Sequence, residues 1–141
     1  TQASVTIDQK LYSEIGKGFL VLIGICDEDT KETADKMVRK LIGMRIFSDE
    51  NGKTNLALKD VDGQLLLVSQ FTLYADCKKG NRPSFVKAGS PQHANELYEY
   101  IIDACKKEVP VVKTGVFGAE MKVALINDGP FTIILDSKDL A

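Results

Sequence analysis

At 141 residues the chain is long enough for one ordinary hydrophobic core and too short to expect two domains, so a single domain over residues 1–141 is expected. Hydrophobic content of 44% and charged content of 27% are those of a soluble globular protein; the apolar runs are strand-length, which excludes a membrane span, and nothing at the start reads as a signal peptide. A net charge of −2 and a pI near 5.4 exclude the overall basic field behind tight non-specific nucleic-acid binding, so any such partner has to be gripped locally.

In chain order, alternation over residues 3–7 followed by polar residues 8–10 predicts an opening hairpin, and residues 18–25 form a near-continuous apolar strand. Asp29 with Glu32 three residues on resembles a capping box, and Ala34, Met37, Val38, Leu41 and Ile42 recur at helical spacing until Gly43. Asn51-Gly52 supplies the positive φ of a turn, and a buried strand follows from about Gln64. Ser90-Pro91 pairs an N-cap with the first helical position; Ala94, Leu97, Tyr98, Ile101 and Cys105 then make one apolar stripe, and Pro110 lies beyond the end. Three further strands are predicted at residues 111–116, 121–126 and 131–135. The pattern predicts a mixed α/β fold, with antiparallel-rich sheets in a barrel-like or layered β/β core and two helices packed on one side.

The most unusual stretch is Ser69-Gln70-Phe71-Thr72-Leu73, which sets three polar residues inside an otherwise apolar run, residues 65–74. Read as a strand, it puts Gln70 and Thr72 on one face and Ser69, Phe71 and Leu73 on the other. Buried hydroxyls and amides need partners, so the run implies either a closed hydrogen-bond network or a ligand. On pattern alone, hydroxyls bonded to neighbouring backbone are the simpler account. Just downstream, Lys78, Lys79, Arg82 and Lys87 form the one basic cluster, either a solvated loop or a rim for phosphate.

Conventional catalytic groups are scarce. His93 is the only histidine and falls in the first turn of a surface helix, where a solvated or capping role is expected, which argues against a Ser-His-Asp triad. Cys26, Cys77 and Cys105 are odd in number and lack a CxxC, which argues against a disulfide framework and a structural zinc and for a reducing, cytoplasmic setting. No metal or cofactor is expected: residues 27–29 read as helix-capping acids, and no GxxxxGK[ST] or GxGxxG is present. Asn127-Asp128-Gly129-Pro130 falls between two predicted strands, where Asp-Gly alone would make a hairpin turn and Gly-Pro opens the choice of a cis peptide.

Taken together, Ser69-Gln70-Phe71-Thr72-Leu73, Gly80-Asn81-Arg82-Pro83-Ser84-Phe85 and Asn127-Asp128-Gly129-Pro130-Phe131-Thr132 resemble the signature segments of the D-aminoacyl-tRNA deacylase family. Ala3-Ser4-Val5-Thr6, Arg45-Ile46-Phe47 and Thr114-Gly115-Val116-Phe117-Gly118 stand in that family's order, so the resemblance spans the whole chain. The family opens with a strand ending in Gln-Arg-Val, and the chain is expected to lack it. The resemblance implies hydrolysis of the ester of D-aminoacyl-tRNA, and of glycyl-tRNA, by a homodimer whose two sites each draw on both subunits. By position, Gly129 and Pro130 carry over as a backbone filter against L side chains. Ser69, Gln70, Phe71 and Thr72 carry over as the pocket wall, with main-chain N–H groups of Phe71 and Thr72 as oxyanion donors and the Thr72 side chain a doubtful nucleophile. Phe117 and Met121 fall in the segment that lines the adenosine end, and Lys78, Lys79, Arg82 and Lys87 are expected on tRNA phosphates. The alternatives are a nucleic-acid-binding module without turnover and a relative that edits L-alanyl-tRNA.

Overall fold

In the computed structural model, which describes residues 1–141, the chain opens as a hairpin of strands β1 (Gln2–Ile7) and β2 (Lys10–Ile15). Asp8 and Gln9 between them take φ of 51° and 67°, the mirror-image turn whose twist matches paired strands. Strand β8 (Lys122–Ile126) pairs antiparallel with the other side of β1, giving a sheet of order β2-β1-β8.

The second sheet is parallel throughout. Strand β6 (Gln64–Ser69) lies between β3 (Gly18–Ile23) and β7 (Val112–Thr114), in register from Gly18 opposite Gln64 to Ile23 opposite Ser69. Parallel neighbours cannot be joined by a tight turn, and helices α1 (Lys31–Gly43) and α2 (Pro91–Lys106) lie in the crossovers that connect them. The antiparallel expectation therefore holds for the outer sheet and not for this central one. Of the two expected cores the layered one is found; no sheet closes into a barrel. At the start of the pairing Gly18, with φ of 157°, lies so close to β6 that a Cβ would stand 1.9 Å from the Gln64 carbonyl oxygen.

Burial shows how the layers stack. Leu65 and Leu67, on one face of β6, join Ala34, Val38 and Leu41 of α1 and Ala94, Leu97 and Ile101 of α2 in one cluster. Leu66 and Val68, on the other face, join Ala3, Val5 and Ile15 of the outer sheet in a second. Strand β6 is thus apolar on both faces because both are covered, the usual condition of a parallel strand. Cys105 is fully buried among the helices as its stripe predicts, and that burial pushes its thiol up to about 11.

Helix caps follow the predicted chemistry with one correction. Ser90 accepts from His93 N at 3.3 Å, with Pro91 at the first turn. On α1 the capping pair is Thr30 and Thr33, not Asp29 and Glu32; Asp29 instead accepts from Cys26 N at 2.9 Å and Asp27 from Ser90 N at 2.8 Å. These acids tie the chain after β3 to itself and to the start of α2. His93 is neither free nor a cap, since its Nε2 lies 2.9 Å from the Asp29 carbonyl oxygen and links the starts of both helices.

The hairpin of β4 (Phe47–Ser48) and β5 (Thr54–Leu56) turns at Gly52, whose φ of 75° is what Asn-Gly predicts. Residues 131–135, predicted as a strand, form none: they have the strand composition but no neighbour in the chain to pair with. No helix is long and apolar enough to cross a membrane.

Because Leu67 has no accessible surface and belongs to the cluster that contains residues of both helices, Leu67→Ala is expected to cost about 2–5 kcal/mol, read as a lowered urea midpoint at unchanged slope. A cost under about 1 kcal/mol would mean that this face of β6 is not the core.

Candidate functional site

The polar residues of the central strand sit where it leaves the sheet. Ladder pairing ends at Ser69, Gln70 N donates to Ile23 O at 2.7 Å, and Gln70 then departs from strand geometry at φ −143° and ψ 85°. Residues Phe71–Tyr74 follow as a 3₁₀ turn. This corrects the expectation of one strand over residues 65–74: Gln70 and Thr72 do not share a face by alternation, and Phe71 and Leu73 are exposed rather than buried. The apolar run is broken because the sheet ends while the sequence pattern continues. The candidate site thus lies at the carboxyl end of parallel strands, where open α/β sheets commonly hold their ligands.

The turn is closed by its own hydrogen bonds and packs close to the chain just past β3. Leu73 N donates to Gln70 O at 3.2 Å and Ala75 N to Thr72 O at 3.0 Å. Gly24 lets the turn approach, since a Cβ there would stand 3.0 Å from Leu73 Cβ. The N–H groups of Phe71 and Thr72 open the turn, the positions that a helical start leaves without internal acceptors. The Thr72 hydroxyl receives a hydrogen bond from the Gln70 side-chain amide, which is no base, and the only histidine is engaged at Asp29. Tyr74 is pushed up in pKa by burial and then by its hydrogen bond with Cys26, so its phenol stays protonated at neutral pH.

The basic cluster divides. Asp76 and Ser84 pair through both main chains, N to O at 2.7 and 2.9 Å, and close a loop whose exposed apex carries Lys78, Lys79 and Arg82, none of them in an ion pair. Lys87 differs, because its Nζ lies 3.4 Å from Asp76 Oδ2. Hydrogen bonding from Lys78 N, with the Lys87 charge beside it, holds the Asp76 carboxyl below its usual range. Phe85, just past the loop, sets its ring against that of Phe71, centroids 5.2 Å apart at 73°.

The remaining expected residues lie elsewhere. Gly129 and Pro130 follow β8 at the edge of the outer sheet, joined by a cis peptide bond, and their loop is held internally: Phe131 N donates to Asn127 Oδ1 at 2.8 Å and Asn127 Nδ2 to Thr132 Oγ1 at 2.9 Å. No hydrogen bond connects this loop to Ser69, Gln70, Phe71 or Thr72 within the chain. Phe117 packs tilted on Tyr98 at 6.2 Å, and the Met121 sulfur accepts from Val116 N at 3.4 Å beside Gly115, which borders Val68. Both are half-buried near the same end of β6. No grouping of side chains suits a metal ion. A cleft of about 890 Å³ lies at the start of α1, between Asp27, Glu32, Lys36 and Lys138; no signature segment lines it, and it reaches their neighbours only at Tyr74, Val86 and Lys87.

Sequence reasoning missed Gly24 and Phe85 as neighbours of the turn. The first had a signal in the small residue interrupting an apolar strand, and the second only in its place in a signature segment.

Comparison with known proteins shows the family. The family model described as D-Tyr-tRNA(Tyr) deacylase matches residues 1–136. A protein of Clostridium novyi named D-aminoacyl-tRNA deacylase is 53% identical over 97% of this chain and 92% of its own length, and one of the same name from Flavobacterium johnsoniae is 51% identical over 99% and 93%. Among solved structures, the c-Myc DNA Unwinding Element Binding Protein superposes with a TM-score of 0.90 at 41% identity, covering 96% of this chain and 93% of that one. A structure described as a "probable eukaryotic D-amino acid tRNA deacylase" shares the fold, with a TM-score of 0.74 at 18% identity over 87% of each chain. With nearly every residue matched and the signature segments in place, the chain belongs to the D-Tyr-tRNA(Tyr) deacylase family.

Proposed function

We propose that the chain hydrolyses the ester of D-aminoacyl-tRNA, releasing free D-amino acid and tRNA, and that it treats glycyl-tRNA in the same way. The observation that carries this reading is the match, along almost the whole chain, to proteins that bear that name. Charged tRNA places the work in the cytoplasm.

The chemistry proposed runs through the main chain. A water, assisted by the neighbouring 2′-hydroxyl of the terminal ribose, attacks the ester carbonyl carbon; the oxyanion that forms faces the N–H groups of Phe71 and Thr72, and as it collapses the C–O bond to the 3′-oxygen breaks and the proton lost by the water passes through the 2′-hydroxyl to that oxygen. Preorganised N–H donors of this kind lower such barriers by about 3–4 kcal/mol each. Thr72 is not the nucleophile in this scheme, because nothing beside its hydroxyl accepts a proton more readily than water. Ser69 and Gln70 wall the pocket, Phe117 and Met121 receive the adenosine end, and Lys78, Lys79 and Arg82 meet phosphates. Lys87 contributes less, being paired with Asp76.

Selection against L substrates by 10³ to 10⁴ needs roughly 4–5.5 kcal/mol, whereas an apolar pocket that senses one methylene supplies about 1–3. A rigid backbone wall at Gly129 and Pro130 meets that requirement by steric exclusion, and it has nothing to exclude in glycine. Within one protomer that wall and the Phe71–Tyr74 turn have no hydrogen bond in common, and the reading has a second copy bring them together. Exposed Leu125, Ile126, Phe131, Ile133 and Ile134, the last 90% accessible, give that copy an apolar surface to cover. The active unit is therefore read as a homodimer.

A second reading, nucleic-acid binding without turnover, is favoured by the likeness to the c-Myc DNA Unwinding Element Binding Protein. Incubation with D-tyrosyl-, L-tyrosyl- and glycyl-tRNA separates the readings: release of D-tyrosine and glycine but not L-tyrosine is expected, and release of none would favour binding alone. Thr72→Ala is expected to keep kcat within about tenfold of the parent while a 2′-deoxy terminal adenosine abolishes turnover; the reverse would make Thr72 the nucleophile. Ile134→Glu is expected to shift the protein to monomer in sedimentation and to remove activity with it, since a buried unpaired carboxylate is costly.

A further inference from the structure

Phe85 belongs to a signature segment, yet the proposed chemistry assigns it nothing. Its surroundings give it a task. The main chain that carries it is fastened on both sides: Ser84 is doubly hydrogen-bonded to Asp76, and Gly89 N donates at 2.8 Å to the carbonyl oxygen of Ile25, two residues past β3. Phe71, by contrast, opens a single 3₁₀ turn, and the residue is 57% exposed. Between a fastened segment and a short turn, the edge-to-face contact of these rings at 5.2 Å is a side-chain tie that fixes where the first residue of the turn points.

We infer that Phe85 is a positioning residue: its ring holds Phe71, and through Phe71 the direction of the two N–H groups that open the turn. The inference rests on the reading of those groups as oxyanion donors. It also connects two parts of the site. The loop bearing Lys78, Lys79 and Arg82 springs from the same Asp76–Ser84 pairing, so the segment that meets phosphate and the turn that meets the ester share one mount. Donors misaimed by a fraction of an ångström bind the ground state nearly as well and the oxyanion worse, so the loss falls on turnover rather than on affinity.

The test compares Phe85→Leu and Phe85→Tyr with the parent, using D-tyrosyl-tRNA and amide hydrogen exchange at Leu73 and Ala75, the bonded amides of the turn. In Phe85→Leu, kcat is expected to fall about 3- to 10-fold with KM within about twofold, exchange at both amides to quicken by a similar factor, and Phe85→Tyr to restore both. In a Phe71→Leu background the same Phe85→Leu change is expected to have no further effect on kcat. Equal losses in both backgrounds, a change in KM alone, or unaltered exchange would each overturn the inference. Exchange is read without substrate, so it judges the positioning role even if D-tyrosyl-tRNA proves not to be turned over, an outcome that would instead remove the functional reading.

Discussion

Strand β6 has to bury both of its faces, and most of the structure follows from that requirement. Leu65 and Leu67 need the two helices; Leu66 and Val68 need the outer sheet. A strand covered on both sides and flanked by parallel neighbours offers polar groups only at its ends, because any hydroxyl within it would lose water without gaining a partner. Ser69, Gln70 and Thr72 therefore gather where β6 emerges, and the emergence is the candidate site. The 3₁₀ turn that follows converts the end of a ladder into a short row of main-chain donors, with Gly24 approaching Leu73 closely and the ring of Phe85 set against that of Phe71.

That origin accounts for a site almost without titrating catalytic groups. The one histidine is committed to joining the starts of α1 and α2, Cys105 is sealed in the core with its thiol held protonated, and the Thr72 hydroxyl faces an amide. What is left with directional character is the backbone. Backbone donors suit recognition of a shape or a developing charge, and they change little when individual side chains are exchanged.

The outer sheet presents the complementary incompleteness. Strand β8 is an edge, and beyond it residues 131–135 run on with exposed Phe131, Ile133 and Ile134 and no ladder of their own. The Gly129-Pro130 loop is braced internally through Asn127, so it is ordered while its surroundings stay open. An ordered loop beside an uncovered apolar strip is a surface that awaits something, in contrast to the closed packing around β6.

The amino-acid order by itself determined what depends on near neighbours: both helices, the Ser90-Pro91 start, the turn at Gly52, the apolar identity of residues 65–68 and the signature segments that carry family membership. These follow from periodicity, capping and the φ preferences of single residues, all of which act over a few positions. Only the tertiary structure decided that Phe71–Tyr74 is a 3₁₀ turn and not more strand, that the central sheet is parallel, and that residues 131–135 pair with nothing in their own chain. A strand exists by virtue of the strand beside it, and the same apolar pattern serves a buried ladder, an emerging turn or an uncovered edge. Which of these it becomes depends on where the neighbouring chain ends, and that is set by contacts far apart in sequence, such as Ile23 with Gln70 or Phe71 with Phe85.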